Sequence, residues 1–286
     1  MRNTPSRERG SLRVRGADFQ WGARTYVMGI VNVTPDSFSG DGESGTEAAT
    51  AHALRQHAAG ADLLDVGGES TRPGHQPVGA EVEIERVVPV IRALRRCLPE
   101  TPISIDTYKS EVARAAHTAG ADIVNSVWGS PGDLLDAAAE LEMPIVATHN
   151  RTQAGEGGDV VAAVVEFLTE CARRARARGI PDARILLDPG IGFGKTADEN
   201  IRVLRCLGEI TAIGLPTLLG VSRKSTIGKL TGRQPRDRAY GSVAAAVLAV
   251  QSGIDVVRVH DVAAARDAMA VADAIVRDWR PPVWTG

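Results

Sequence analysis

The sequence predicts an α/β fold, a single (β/α)8 barrel of the TIM class preceded by an N-terminal β-hairpin, and three observations carry that prediction. Eight short, β-branched apolar runs recur along the 286 residues, near-continuous rather than alternating, as suits parallel strands covered on both faces. Between them lie stretches of helical period rich in Ala, Leu and Arg. Several of these end on Gly just before the next run, at Gly60-Ala-Asp, Gly120-Ala-Asp and Gly253-Ile-Asp, where a left-handed glycine can stop a helix. A doubly wound sheet would hold fewer strands, and no shift in composition marks a second domain.

Taken in order, residues 1–10 are expected to be a disordered tail and residues 11–286 one barrel domain. The stretch SLRVRGADFQWG (11–22) predicts the hairpin that precedes the barrel and closes its floor. Strands are expected at 26–33, 63–68, 103–106, 123–127, 145–149, 185–188, 217–222 and 256–260. Helices are expected between them, for example at 47–60, 84–98 and 160–179.

Composition excludes several function classes. At 43% hydrophobic the chain can bury one large core, and a formal net charge of −2 gives no basic field for nucleic acid. No apolar stretch is long enough to cross a membrane, and the charged N-terminal residues contain no apolar segment of the secretory kind. A cytoplasmic location is therefore expected, with Cys97, Cys171 and Cys206 as buried reduced thiols rather than a disulfide or metal set. Lys occurs only at 109, 195, 224 and 229; the preference for Arg and Ala reads as GC-rich coding.

Barrel sites form at the carboxyl ends of the strands. Those ends carry Asn32, Glu69, Asp106, Asn125, His149, Asp188, Ser222 with Lys224, and Arg258 with His260. Each has an ordinary structural alternative: Asp106 as a helix cap, Asp188 in a turn with Pro189, Arg258 paired with Asp261. A polar group at every strand end is a different matter and points to a site. Carboxylates and amides at 106, 125 and 188 suit a flat polar heterocycle, while Lys224, Arg258 and His260 supply positive charge where barrel phosphate sites form. Asn32 and Asp36 offer oxygen ligands for Mg²⁺. The run ILLDPGIGFGKT (185–196) is not a nucleotide loop: Pro189 stands where the G-x-x-x-x-G-K-[ST] pattern needs its first Gly, and Lys195 where G-x-G-x-x-G needs its third.

Six motifs occur one per strand end: MGIVNVTPDSFS (28–39), GGESTRPG (67–74), IDTYK (105–109), DPGIGFGK (188–195), GVSRKS (220–225) and RVHDV (258–262). In this order they resemble the dihydropteroate synthase family, over roughly residues 12–280. The resemblance implies condensation of 6-hydroxymethyl-7,8-dihydropterin diphosphate with p-aminobenzoate, in which diphosphate leaves first and the aryl amine attacks the resulting cation. It implies that Asp188 accepts paired hydrogen bonds from the pterin, that Asp106, Asn125 and Lys224 read its remaining edges, and that Arg258, His260 and Asn32 hold the diphosphate, Asn32 through Mg²⁺. Thr71, Arg72, Pro73, Phe193, Ser222 and the Lys224 stem would form the p-aminobenzoate side, where sulfonamides compete. Asp106, Asp188, Lys224 and Asp36 are the candidate catalytic residues. A homodimer through 242–253 and 268–276 is implied as well.

The motifs depart from the family pattern at Ser126, Thr148, Asn150 and Thr226, and at Ser39-Gly-Asp-Gly in the first loop. A hydroxyl at 148 where the family has Met replaces a polarisable apolar wall beside the ring. The leading expectation is thus a divergent second copy that binds pterin diphosphate and p-aminobenzoate or sulfonamide-type ligands with synthase activity weak or absent. The alternatives are a fully active synthase of folate biosynthesis, a methyltetrahydrofolate-binding methyltransferase barrel, and a non-enzymatic scaffold.

Overall fold

The structure is a computed structural model that describes residues 10–34, 45–70, 76–151, 154 and 158–282. Two short strands, β1 (Ser11–Val14) and β2 (Ala17–Gln20), pair antiparallel around a turn in which Arg15 takes φ +54°. Then follow β3 (Tyr26–Asn32), α1 (Gly45–Ala58), β4 (Leu63–Gly67), α2 (Ala80–Cys97), β5 (Ile103–Asp106), α3 (Ser110–Ala119), β6 (Ile123–Ser126) and α4 (Gly132–Glu140). The chain continues through β7 (Ile145–Thr148), α5 (Val160–Arg176), β8 (Ile185–Asp188), α6 (Ala197–Arg205), α7 (Leu207–Thr211), β9 (Leu218–Leu219), α8 (Ser225–Thr231), α9 (Ala239–Val250), β10 (Val256–Val259) and α10 (Val262–Val276).

Strands β3 to β10 are parallel and pair in the order β8-β7-β6-β5-β4-β3-β10-β9. A bridge between Leu187 and Thr217 joins the two ends, so the sheet closes on itself. The (β/α)8 barrel and its hairpin are as the sequence predicts; β9 alone is much shorter than expected. Gly60, Gly120 and Gly253 take φ of +96°, +115° and +87°, as expected of helix stops. The expected tail, apart from Gly10, lies outside the described residues; the Gly10 carbonyl accepts a bond from the Trp21 amide.

Successive strand residues face opposite ways. One parity, with Val27, Val31, Leu64, Val66, Ile105, Val124, Ala147, Leu187 and Val257, meets the helices in the larger core. The other parity, with Met28, Leu63, Ile123, Val146, Leu186, Leu218 and Val256, fills the lower barrel together with Leu12, Phe19, Trp21 and Tyr26. The hairpin thus plugs the floor, and its aromatic rings pack edge-on and stacked, with Phe19 and Tyr26 centroids 4.8 Å apart. Further up the inner parity, apolar residues give way to Asp65, Ser104, Asp106, Asn125, Thr148, Asp188 and Arg258.

Among the described residues no helix is long and apolar enough to cross a membrane. The cysteines are free, but only Cys171 is buried; Cys97 closes α2 on its exposed side, against the expectation of a buried thiol.

The last helix is locked to the first barrel strand by Asp273, buried in α10. Its carboxylate accepts the Thr25 amide at 2.6 Å and the Thr25 hydroxyl at 2.9 Å, and pairs with Arg277 at 3.2 Å. Asp273→Ala is expected to lower unfolding free energy by about 3 kcal/mol, because it strands buried donors and a buried cation. Urea denaturation checks this; a loss under about 1 kcal/mol contradicts the anchoring role.

Candidate active site at the barrel mouth

The upper barrel holds one connected polar floor. Arg258, inward on β10, donates from Nε to Asp65 Oδ2 at 2.5 Å and from Nη2 to Asp106 Oδ2 at 2.6 Å. Asn125 Nδ2 donates to the same Asp65 oxygen at 3.0 Å. The strand register makes this possible: Gly67, Asp106 and Asn125 lie side by side on β4, β5 and β6. The missing side chain at Gly67 leaves room for Asp106, since a Cβ there would sit 3.4 Å from the Asp106 Cβ.

Charge in this floor is strongly perturbed. Burial raises the Asp106 pKa and Asp65 adds to the rise, against the pull of Arg258. Burial also raises Asp188, while the Gly190 amide and Lys224 oppose it. Lys224 is lowered to about 8, by burial first and then by Arg258, with Asp188 and Asp106 holding it up. Burial disfavours the Arg258 cation too, but the two carboxylates outweigh it and its pKa rises. Asp65, Asp106, Asp188, Lys224 and Arg258 therefore form one electrostatic unit, three carboxylates against two cations.

Asp188 ends β8 and answers why that apolar run stops in a carboxylate. Its Oδ1 accepts the Gly190 amide at 2.7 Å, which turns the chain sharply and leaves Oδ2 toward the mouth, where a Cβ at Gly220 would lie 3.6 Å away. The loop that follows spends its amides on the protein. Gly192 donates to Asn200 Oδ1 at 2.7 Å and Phe193 to the Gly190 carbonyl at 3.1 Å, so these groups are not available to cradle a phosphate. Gly190 and Gly194 take φ of +67° and +57°, and a Cβ at either would fall within 2.0 Å of the His149 or Arg151 carbonyl oxygen. Glycine is obligatory at both.

Lys195, absent from the candidates drawn from the sequence, pins this loop. Its Nζ donates to His149 Nδ1 at 2.7 Å, to the Gly190 carbonyl at 2.9 Å and to the Phe193 carbonyl at 3.2 Å. Burial lowers its pKa to about 7. Phe193 is thereby held beneath Lys224, whose Nζ lies 3.9 Å from the ring centroid.

The expected ring of strand ends divides. Asp106, Asn125, Asp188, Lys224 and Arg258 converge. Glu69 instead binds Lys109 at 2.6 Å, and Lys109 also holds Glu83 at 2.5 Å, which clamps α2 to β4 and β5. His149 faces α5, edge-on to Phe167 at 5.0 Å, with a pKa pushed down to about 3 by burial and Lys195. Arg258 turns its charge onto two carboxylates, and Asp261 pairs with Arg223 rather than with Arg258. His260 is a correction to the expected cation: burial, then Arg223 and Arg258, push its pKa to about 3, and its Nδ1 lies 3.1 Å from Ser222 Oγ. It enters as a neutral donor or acceptor. Asp106 does not cap α3, whose N-cap is Lys109.

Of the divergent positions, Ser126 pairs in register with Ala147, on the parity that faces the helices, and its hydroxyl is buried without a partner. It is outside the mouth. Thr148 is inside, beside Asp188 in register, and Thr226 is buried in α8. Asn32 ends β3 at the rim, half-buried, with no side-chain hydrogen bond among the described residues. Asp36, Thr71, Arg72 and Pro73 lie outside the described residues. Sequence reading also missed Asp65; its signal was a carboxylate in the middle of an apolar strand run.

Comparison with known proteins agrees with this geometry. Residues 28–260 match the family described as pterin binding enzyme. A dihydropteroate synthase from Synechocystis is 44% identical, aligned over 92% of this chain and 93% of its own. A crystal structure of dihydropteroate synthase from Clostridium difficile with pteroic acid superposes with a TM-score of 0.87 at 43% identity, covering 90% of this chain and 98% of that one. The Xanthomonas albilineans enzyme with 4-aminobenzoic acid gives 0.85 at 50% identity, covering 88% and 93%. The chain belongs to the dihydropteroate synthase family of pterin-binding enzymes.

Proposed function

We propose that this protein is an active dihydropteroate synthase, the alternative reading of its sequence, rather than an impaired copy. The observation that carries the proposal is the floor of Asp106, Asn125, Asp188, Lys224 and Arg258. In it Arg258 bonds Asp65 and Asp106, Asn125 bonds Asp65, and Lys224 is electrostatically coupled to Asp106, Asp188 and Arg258. Two findings weigh against impairment. Relatives named dihydropteroate synthase are 42–44% identical over most of the chain, and Ser126, the departure beside Asn125, faces the helix layer. Among the described residues nothing in the site favours methyl transfer over aryl-amine condensation.

In the proposed reaction the pterin lies on the floor. Asp188 accepts from two adjacent N–H groups of the ring, a pairing in which a carboxylate is stronger than a neutral acceptor. Asp106 and Asn125 accept from its other edge, and Lys224 donates to the ring carbonyl. The bond from the pterin methylene carbon to the diphosphate oxygen breaks, its electron pair leaving with diphosphate. The excess of carboxylates below stabilises the cation left on the methylene. The p-aminobenzoate nitrogen lone pair then forms the new C–N bond, and the ammonium proton passes to solvent. Phe193, Ser222 and the Lys224 stem would line the aryl-amine side, where sulfonamides would compete; Thr71, Arg72 and Pro73 are proposed to share that role on the resemblance of their motif alone. His260 and Arg258 contact the diphosphate, His260 as a neutral N–H donor.

Mg²⁺ fits Asn32. One rim amide oxygen, with Asp36 nearby in sequence, suits an ion that keeps most of its waters and binds substrate phosphates, and no three-residue metal cluster exists among the described residues. Bound there, Mg²⁺ would neutralise charge on the departing diphosphate. We further propose a homodimer in which α9 and α10 face a second copy, since Leu248, Val271 and Ile275 are 65%, 62% and 78% exposed on these adjacent helices.

Purified protein with Mg²⁺, pterin diphosphate and p-aminobenzoate is expected to form dihydropteroate, and Asp188→Asn to lower kcat/KM about 100-fold or more by turning a donor onto ring N–H groups. No product from the native protein contradicts the proposal. The pH profile of kcat/KM for the pterin substrate should be bell-shaped. The acid limb lies above the ordinary carboxylate range because Asp106 and Asp188 are raised, and protonation puts an O–H donor on one oxygen and removes the charge that strengthens their hydrogen bonds to ring N–H groups. The alkaline limb falls near the lowered lysines, about 7 for Lys195 and about 8 for Lys224, which lose their charge above those values. A flat profile between pH 5 and 9 would count against the floor as the binding unit. For the dimer, light scattering should give twice the chain mass, and Leu248→Arg with Ile275→Arg should give monomers; a native monomer contradicts it.

A further inference from the structure

Asp65 lies in the middle of β4 rather than at a strand end, yet it is fully buried in the floor, where its Oδ2 takes both Arg258 Nε and Asn125 Nδ2. We infer that Asp65 is a positioning residue: it fixes the direction of the Asn125 amide and so makes the site select the reduced, N–H-bearing form of its heterocycle. The inference rests on the synthase reading and deepens it.

An asparagine amide presents donors on one side and an acceptor on the other, and its neighbours decide which way it turns. A carboxylate paired with a guanidinium offers acceptors only, so the Asn125 NH₂ must face Asp65. Asn125 Oδ1 is then left on the opposite side, buried and without a hydrogen-bond partner. Asp106 is arranged alike: Arg258 takes Oδ2, and Oδ1 is buried and unpartnered. The Asp65–Arg258 pair thus occupies the Asn125 amide donor and one Asp106 oxygen, and leaves Asn125 Oδ1 and Asp106 Oδ1 as unpartnered acceptors.

A buried acceptor gains from an N–H and is penalised by a facing lone pair. A 7,8-dihydropterin carries an N–H at ring position 8, where the fully oxidised pterin has a bare nitrogen. With its amide held, Asn125 favours the former. With Asp65 neutralised, the amide is free to rotate by half a turn and offer its NH₂ to the bare nitrogen, and the preference lapses. A purely structural role for Asp65 would weaken both ligands together.

The test titrates native protein and Asp65→Asn with 6-hydroxymethyl-7,8-dihydropterin and with 6-hydroxymethylpterin under anaerobic conditions, following tryptophan fluorescence or heat. The native protein is expected to prefer the dihydro form by about tenfold or more, and Asp65→Asn by less than about threefold. An undiminished preference in Asp65→Asn, or none in the native protein, overturns the inference while leaving the synthase reading standing. Binding of neither pterin by the native protein overturns both. If Asp65→Asn does not fold, Asn125→Ala replaces it: loss of the preference supports the inference and its retention overturns it.

Discussion

The mouth of this barrel depends on one guanidinium. Arg258 bridges Asp65 and Asp106 across the interior, and no other cation among the described residues bonds to either. Two carboxylates a few ångströms apart repel by about 4 kcal/mol at an effective dielectric near 20, and burial adds the loss of hydration. Both acids are tolerable there only because a planar, always-charged fork reaches them together. Asp65, held by that bridge, fixes Asn125; burial and then Asp65 raise the Asp106 pKa against the pull of Arg258, and burial followed by Arg258 lowers Lys224. Such a network is costly for stability, and it leaves Asp65 Oδ1, Asp106 Oδ1 and Asn125 Oδ1 buried without partners.

The second half of the site is built differently. Asp188 is held by the backbone, through the Gly190 amide, and the glycine loop behind it is fastened by Lys195. This division suits a ring gripped along two edges. In the proposed reaction the floor of ion-paired side chains would set what hydrogen-bonding pattern is accepted, while the loop sets where Phe193 and Lys224 lie beside it. The loop amides at 190, 192 and 193 are spent internally, so the proposed diphosphate contacts are assigned to side chains on the later strands.

Much of this was legible in the sequence. Eight apolar runs ending in polar residues are read directly as a barrel with a mouth, and Asp106, Asn125, Asp188, Lys224 and Arg258 were all identified by position. What was not legible is parity. In a strand buried on both faces every residue is apolar or looks like an end, so nothing distinguishes the inward Asn125 from the outward Ser126, or Thr148 from His149. That ambiguity gave His149 a place in the ring that belongs to Asp65, and gave Ser126 a weight against activity that its orientation removes. The Glu69–Lys109–Glu83 clamp and the neutral state of His260 arise from contacts between residues distant in sequence or from burial, and no local pattern encodes them.

The account stands on the floor acting as one ligand-binding unit. A crystal structure of the protein with a bound pterin tests it most directly. The account predicts the ring lying between Asp188 and the Asp106–Asn125 edge, with Arg258 still bridging Asp65 and Asp106 and the Asn125 oxygen turned toward a ring N–H. A pterin bound elsewhere, or one that reaches the mouth only after Arg258 swings away from Asp65, would contradict it.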